Sequence, residues 1–205
     1  MKKILAFLLI LSFYSCASYK GYYSMKLVDV ESPKNGLISN ERTIHGIDFG
    51  VYKDDIMDVS LIFHPSYVDV NLKNNTDATI SVVWDETVFS GLDGTSDAVV
   101  HSGTFFRDKN LSQVPSSVVR GTNLKEIIVP KSKIVLYRDG VAVRNFLPRS
   151  ERWIGNKINI ALPIISKNEK IEYIFIFESS FENVRGVRYK KYAKSGGLGY
   201  WSVVR

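Results

Sequence analysis

The residues best suited to proton transfer or metal binding in this chain are its three histidines, His45, His64 and His101. They lie in different segments, and no His-x-x-x-His or Glu-x-x-His spacing places two ligands on one face. A metal site or a general base built on them needs partners that come together only in the folded chain. The simpler interpretation is three separate strand-end or surface histidines, and we predict no metal and no cofactor.

The sequence holds no complete motif for nucleophilic or acid–base catalysis. The fragment nearest to a Gly-x-Ser-x-Gly elbow, at 101–103, lacks the first glycine. Asp85 and Glu86 are adjacent, and adjacent strand residues point to opposite faces, so they do not share a substrate. The acidic loop 92–97 offers oxygen ligands without the spacing of an EF-hand, and a simple turn accounts for it. No catalytic residue is predicted.

The segment 103–122 is the candidate for molecular recognition. It is long, it lacks clear periodicity, and it contains Phe105, Phe106, Arg107 and Arg120. Long loops inside compact domains are uncommon and often functional, and aromatic residues beside arginines are typical of recognition surfaces. We predict a binding loop built on these four residues. The alternative is a loop whose phenylalanines cap one end of the core.

The elements that must position these residues are almost all β-strands. Period-two alternation and β-branched or aromatic enrichment recur between turn residues. The strongest alternation, at 68–72 and 80–84 around a turn at 74–77, predicts a hairpin. A second hairpin is predicted at 134–137 and 141–146, because Asp139-Gly140 favours a tight type I′ turn.

The late segments 157–165 and 170–177 predict two further strands, and no window of a dozen residues shows a helical stripe. Seven to nine short strands at this spacing predict an all-β fold, namely an antiparallel β-sandwich of immunoglobulin-like type. Trp84 is a candidate core aromatic between the sheets. The Cys–Trp–Cys signature of true immunoglobulin domains is absent, so the analogy concerns architecture alone.

The N-terminus has the pattern of an export signal. Lys2 and Lys3 precede an apolar run at 4–11 and a small-residue stretch that ends at Cys16. The run is shorter than the roughly 20 apolar residues of a spanning helix. No other stretch approaches that length, so we predict no transmembrane helix in the mature chain.

This segment resembles the signal of bacterial lipoproteins, in which an apolar and small-residue box ends in an invariant cysteine. The resemblance implies a signal peptide at 1–15 and lipidation of Cys16, with palmitate among its acyl chains. Ser15 fits the family pattern, and Phe13 and Tyr14 depart from it. Ordinary cleavage after Ala17, without lipid, is the alternative.

Two further observations agree with the lipoprotein interpretation. Cys16 is the only cysteine in 205 residues, and exported domains either pair their cysteines or lack them. In the lipoprotein family, a residue other than Asp after the cysteine usually accompanies sorting to the outer membrane, and here that residue is Ala17. We therefore expect a protein of the cell envelope, anchored by lipid to the outer membrane.

The predicted organisation has four parts. Signal peptide 1–15 is followed by the lipidated cysteine and a tether at 16–43, a β-sandwich domain at 44–189, and a basic–aromatic tail at 190–205. Cleavage lowers the formal net charge of +6 by two. The tail is either solvated or in contact with the membrane or the cell wall, and export makes nucleic acid an unexpected partner.

These observations favour a non-enzymatic binding or assembly module with an envelope protein as its possible partner. The inference from fold class to binding is an analogy. The alternative is an envelope hydrolase that uses His64 or His101 with an acid brought close by folding.

Overall fold

The computed structural model describes residues 21–33, 35–42, 48–138, 140–147 and 153–183. The predicted signal peptide, Cys16 and the predicted tail at 190–205 lie outside these residues. The described residues form fourteen strands: β1 Gly21–Val30, β2 Leu37–Arg42, β3 Asp48–Lys53, β4 Met57–Phe63, β5 Val68–Asn74, β6 Ile80–Val82, β7 Val88–Ser90, β8 Ser96–His101, β9 Ser116–Val118, β10 Asn123–Pro130, β11 Ile134–Tyr137, β12 Gly140–Val143, β13 Lys157–Ser166 and β14 Glu169–Asn183. Three short 3₁₀ turns occur at Trp84–Glu86, Phe106–Asp108 and Lys131–Lys133. None of the described helical segments is long and apolar enough to cross a membrane.

Ten of these strands form one continuous antiparallel sheet. Its order is β1-β14-β13-β7-β8-β10-β5-β4-β3-β2, while β6 pairs with β13 and β9, and β11 pairs with β12 alone. The sheet curls until β1, at one end, contacts β2 and β3, at the other. The result is a nearly closed sheet around one core.

The all-β, antiparallel prediction is confirmed, and the immunoglobulin-like sandwich is not confirmed. β7, β8 and β10 connect β13 to β5 within one sheet, whereas an immunoglobulin-like sandwich has two separate sheets. There are more strands than the predicted seven to nine. Strands of three residues, such as β6, β7 and β9, are too short to show alternation in sequence.

Regular alternation positions the core along β4 and β5. Buried residues of β4 and β5 alternate with half-buried or exposed ones, as a strand with one face on the core requires. We call the core-facing side of the sheet its inner face and the opposite side its outer face. Tyr173, Phe175 and Phe177 of β14 are buried on the inner face.

Four core aromatics, Phe89, Phe146, Phe63 and Phe177, form a chain of edge-on contacts, and Tyr52 makes a separate edge-on contact with Phe175. Ring centroids of Tyr52 and Phe175 are 5.9 Å apart, those of Phe63 and Phe177 are 4.7 Å apart, and those of Phe89 and Phe146 are 4.9 Å apart. Edge-to-face pairs at such distances add stability beyond the area they bury. The chain links strands that are far apart in the sheet order, so it fixes the curl of the sheet.

Side chains bridge the gap between the two ends of the sheet. The Asn40 amide on β2 accepts from the Leu27 N–H at 2.8 Å and donates to the Leu27 carbonyl at 3.0 Å on β1. Asn40 thus satisfies backbone groups of β1 as a neighbouring strand would. This contact substitutes for a backbone ladder between β1 and β2.

A buried carboxylate makes a second bridge where β1 meets β2 and β3; we call this contact region the seam. Asp48 on β3 accepts from the Arg42 Nε–H at 2.6 Å and from the hydroxyl of Ser24 on β1. Burial raises the pKa of Asp48, but the hydrogen bonds from Arg42 and Ser24 and the charge of Arg42 together hold it below its ordinary value. The ionised carboxylate therefore fixes β1, β2 and β3 together.

Two sequence predictions need correction or extension. The hairpin predicted for 68–72 and 80–84 is wrong: β5 pairs with β4 and β10, and β6 pairs with β13 and β9. The turn after β5 does not join two paired strands. The Asn74 side chain holds it by donating to the Ala78 and Val118 carbonyls. In addition, β1 and β2 lie inside the predicted tether at 16–43, with Met25, Leu27 and Val30 in the core.

The hairpin predicted at 134–137 and 141–146 is present with a shorter second strand, and the strands predicted at 157–165 and 170–177 correspond to β13 and β14. β11 pairs with β12 with Tyr137 opposite Gly140, and β13 pairs with β14 over its whole length. Trp84 is fully buried, as predicted for a core aromatic, although it lies in a 3₁₀ turn rather than in a strand.

The seam requires a glycine at position 50. A Cβ at Gly50 would lie 2.5 Å from Leu27 Cβ and 2.7 Å from Phe177 Cε1. We expect Gly50→Ala to lower the free energy of unfolding by about 1–3 kcal/mol, because both neighbours must move. Urea denaturation of the full-length chain measures this, with Ser39→Ala on exposed β2 as the control. Equal midpoints for Gly50→Ala and wild type would show that the two ends of the sheet do not pack so closely.

Candidate functional site

The structure places an acid beside each of the two histidines that it describes. His64 Nε2 lies 2.9 Å from Asp69 Oδ2, and the His64 ring stacks on Tyr67 with centroids 4.2 Å apart. This pair is partly exposed at the turn between β4 and β5. His45 lies outside the described residues.

His101 is buried instead. Its ring stacks on Trp84 with centroids 4.9 Å apart. Its Nδ1 lies 3.2 Å from the Gly103 amide nitrogen and 3.5 Å from Glu126 Oε2. Nδ1 accepts the hydrogen bond from the Gly103 N–H.

The cluster of His101, Ser102 and Glu126 does not have the order of a serine-hydrolase triad. The Ser102 hydroxyl donates to Glu126, and Glu126 lies between serine and histidine. In a triad the histidine lies between the serine and the acid, because it must take the serine proton. Burial raises the pKa of Glu126, but the hydrogen bonds from His101 and Ser102 and the charge of His101 together hold it below its ordinary value. An ionised, hydrogen-bonded glutamate here ties the end of β8 to β10.

The chain from 102 to 115, between β8 and β9, is fixed to the fold by three polar side chains, of which Gln113 is buried, Lys109 half-buried and Asp85 exposed; we call it the anchored loop. The Gln113 side chain is buried, accepts from the His101 N–H at 3.0 Å and donates to the Val99 carbonyl at 2.8 Å. Gln113 therefore continues the hydrogen bonding of β8 with a side-chain amide.

Asp85 makes the second attachment. Its carboxylate accepts from the Gln113 N–H at 2.8 Å and from the Ser112 hydroxyl, and these hydrogen bonds outweigh its slight burial and lower its pKa. Glu86 points elsewhere, to Lys170 Nζ at 2.6 Å. Asp85 and Glu86 lie in a 3₁₀ turn and not in the strand that the sequence analysis assumed, and each makes a separate structural contact.

The third attachment joins the anchored loop to the hairpin of β11 and β12. The Lys109 ammonium donates to the Lys131 and Ile134 carbonyls at 3.2 and 2.7 Å. Phe106 packs against a small cluster of buried residues, Val100, Val129 and Ile134. Phe106 therefore covers apolar residues, which is the role that the alternative interpretation gave to the phenylalanines of this segment.

The anchored loop presents three apolar side chains to solvent among polar ones. Phe105 is 63% exposed, Leu111 is 63% exposed and Val114 is 78% exposed. Arg107 and Asn110 are exposed as well. Because Gln113, Asp85 and Lys109 attach the loop to the fold, these side chains are held in place rather than displayed on an unattached segment.

Arg120 is not part of this surface. It lies in the turn between β9 and β10, where Gly121 N–H donates to the Asn74 carbonyl, and its charge helps to lower the pKa of Asp77, after the nearer effect of Lys167. The four residues of the predicted binding loop are therefore divided: Phe105 and Arg107 are presented to solvent, Phe106 is packed inward and Arg120 lies elsewhere.

Sequence reasoning did not identify Gln113 or Glu126, whose partners are distant in sequence. Nor did it assign the attachment made by Asp85. A lone glutamine inside a loop carries no local signal, because its partners are backbone groups of β8. The acidic turn at Asp93 and Gly94 was interpreted correctly: Asp93 accepts from the Thr95 N–H and hydroxyl.

The surface has two depressions whose lining contains no histidine. One, of about 400 Å³, lies at the turn between β13 and β14 beside Lys167 and Asp77. The other, of about 290 Å³, crosses the outer face of β2 to β5 and β10. Within the described ranges, no three His, Cys, Asp or Glu side chains gather as metal ligands do.

Comparison with known proteins adds no assignment. No protein-family model, no curated protein and no solved structure matches this chain.

Gln113 is the attachment whose removal tests the anchoring. Gln113→Ala leaves the buried His101 N–H and Val99 carbonyl without their partner, at a cost of about 1–3 kcal/mol for each group. We expect lower stability in urea and faster hydrogen exchange at 102–115. Asn110→Ala, an exposed change in the same loop, is the control. Unchanged exchange in Gln113→Ala would mean that the loop is held by other contacts.

Proposed function

We propose that this protein is a lipid-anchored, non-enzymatic protein of the cell envelope that docks a partner protein through the anchored loop. The observation that carries the proposal is the combination of polar attachments, made by Gln113 and Asp85, with exposed Phe105, Leu111 and Val114. Exposed apolar side chains on a preorganised loop lose little conformational entropy on binding. Aromatic and arginine side chains such as Phe105 and Arg107 are typical anchors of protein interfaces.

The anchor and location belong to the same proposal. The resemblance of the N-terminus to a lipoprotein signal supports acylation of Cys16, and Ala17 after it supports sorting to the outer membrane. Several acyl chains anchor a protein stably, whereas a single chain binds a membrane only marginally. A membrane-tethered module meets its partners at a raised local concentration, so modest interface energies suffice for assembly.

An envelope hydrolase is the second candidate, and the pair of His64 and Asp69 favours it. A partly exposed histidine 2.9 Å from a carboxylate is a possible general base. Hydrolysis of ester or peptide substrates by the wild type that disappears in His64→Ala would support this alternative.

The docking proposal predicts that partner binding depends on the exposed apolar residues of the anchored loop. Replacing Phe105, Leu111 and Val114 by serine should abolish partner binding and leave the urea midpoint unchanged, because all three side chains are exposed. A photo-crosslinker at position 107 of the full-length protein in its own membranes reports the contact.

The matched control replaces three equally exposed apolar residues elsewhere, Leu37, Val119 and Ile154, by serine. We expect the crosslinked protein band to persist in this control and to vanish in the loop variant. A band of equal intensity in both variants contradicts docking through the anchored loop.

The lipid anchor has its own test. The intact mass of protein purified from membranes should match residues 16–205 plus a diacylglycerol and an acyl chain. Cys16→Ala should lack that addition and should leave the membrane fraction, since the acyl chains supply the anchoring energy. An unlipidated chain that begins at Ser18 contradicts lipidation and leaves loop docking to be judged by crosslinking alone.

A further inference from the structure

A second surface of the protein lies on the outer face of the sheet, away from the anchored loop. The depression of about 290 Å³ on this face crosses β2, β3, β4, β5 and β10; we call it the outer-face groove. Strands lie about 4.8 Å apart, so five strands span about 19 Å. That length suits an extended ligand better than a compact one.

The strand register shows which side chains share this face. Val51 is opposite Ser60, Ser60 is opposite Asn71, and Asn71 is opposite Lys125. Directly opposite residues point to the same side of a sheet, so these four side chains form one row across the groove.

A parallel row of charged and amide groups lies two residues further along the strands. Lys53 is opposite Asp58, Asp58 is opposite Lys73, and Lys73 is opposite Asn123. Lys53, Lys73 and Lys125 form no ion pair with any residue that the structure describes, and all three are exposed. These ammonium groups are therefore available to carboxylates or phosphates of a ligand.

The groove also carries groups that both donate and accept hydrogen bonds. Asn71, Asn123 and Ser60 have this double capacity, as do the hydroxyl groups of sugars. Asp58 accepts from the Asn75 amide at 2.7 Å and retains lone pairs for a further donor. Phe49, which lines the same groove, is half-buried and offers an apolar surface to the C–H face of a sugar ring.

The groove contains both lysines and carboxylates, and this combination limits the classes of ligand that fit it. Glu41 and Asp58 lie in the groove among the lysines. A phosphate-rich membrane surface or a polyanion without hydrogen-bond donors would leave these two carboxylates without a donor. A polymer with both hydroxyl donors and carboxylates satisfies the lysines, the amides and the carboxylates together.

We propose that the outer-face groove binds an extended anionic glycan, with Lys53, Lys73 and Lys125 pairing with its carboxylates and Ser60, Asn71, Asp58 and Asn123 hydrogen-bonding its hydroxyls. The proposal is independent of docking through the anchored loop, because the two surfaces share no residue. Its failure leaves the docking proposal unchanged.

Titration calorimetry on the full-length protein in detergent tests the proposal, with a hexamer of galacturonic acid as the probe. We expect binding of this hexamer and none of neutral maltohexaose. Replacing Lys53, Lys73 and Lys125 by glutamine should lower the affinity about tenfold, the combined effect of three surface ion pairs. Asn71→Leu should weaken binding at unchanged net charge, because it removes only hydrogen bonds.

The matched control replaces Lys26, Lys133 and Lys157 by glutamine, which changes the net charge equally outside the groove. This control should retain the wild-type affinity. Equal losses in the two lysine variants, or unchanged affinity in Asn71→Leu, would reduce the effect to general charge attraction and overturn the proposal. Binding to phosphatidylglycerol vesicles or to polyglutamate, without binding to the galacturonate hexamer, would overturn it in favour of a membrane or a protein ligand.

Discussion

The close packing of β1 against β3 is the constraint on which the rest of the structure depends. A ten-strand antiparallel sheet has two edges, and unpaired edges invite association with other chains. Here the sheet curls until Gly50 on β3 meets Leu27 on β1 and Phe177 on β14. Only a residue without a side chain allows that approach. The seam is completed by side chains, with Asn40 bonded to the β1 backbone and Asp48 bonded to Ser24 and Arg42.

The curl of the sheet separates an inner face, which is buried, from an outer face. The inner face is filled by an aromatic core, and its packing is dense enough that a side chain added at the seam must displace a neighbour. The outer face is covered at β8 and β10 by Phe106 and the hairpin of β11 and β12. Across β2 to β5 the outer face carries the outer-face groove. The two proposed binding surfaces therefore belong to different parts of one rigid frame.

The anchored loop illustrates how polar contacts hold a segment without strand pairing. Asp85 accepts from the Ser112 hydroxyl and the Gln113 N–H of the loop, while Gln113 and Lys109 of the loop bond to backbone groups of β8 and β11. Unpaired polar groups in a protein interior are costly, so the buried Gln113 contributes most to fixing the loop. Phe105 and Val114 lie on the solvent side of the loop held in this way.

The sequence by itself determined the all-β class, because alternation is a local property of a strand with one face on a core. It also determined the hairpin of β11 and β12, whose strands are close in sequence, and the presence of strands at β13 and β14. Only the tertiary structure decided the corner after Asn74, the pairing of β6 with β13, and the place of β1 in the sheet. Those depend on contacts between residues far apart in the chain, for which a local pattern holds no information. For the same reason the sequence grouped Phe105, Phe106, Arg107 and Arg120 in one predicted binding loop. The structure alone showed that Gln113 holds this loop, that Phe106 packs inward and that Arg120 lies elsewhere.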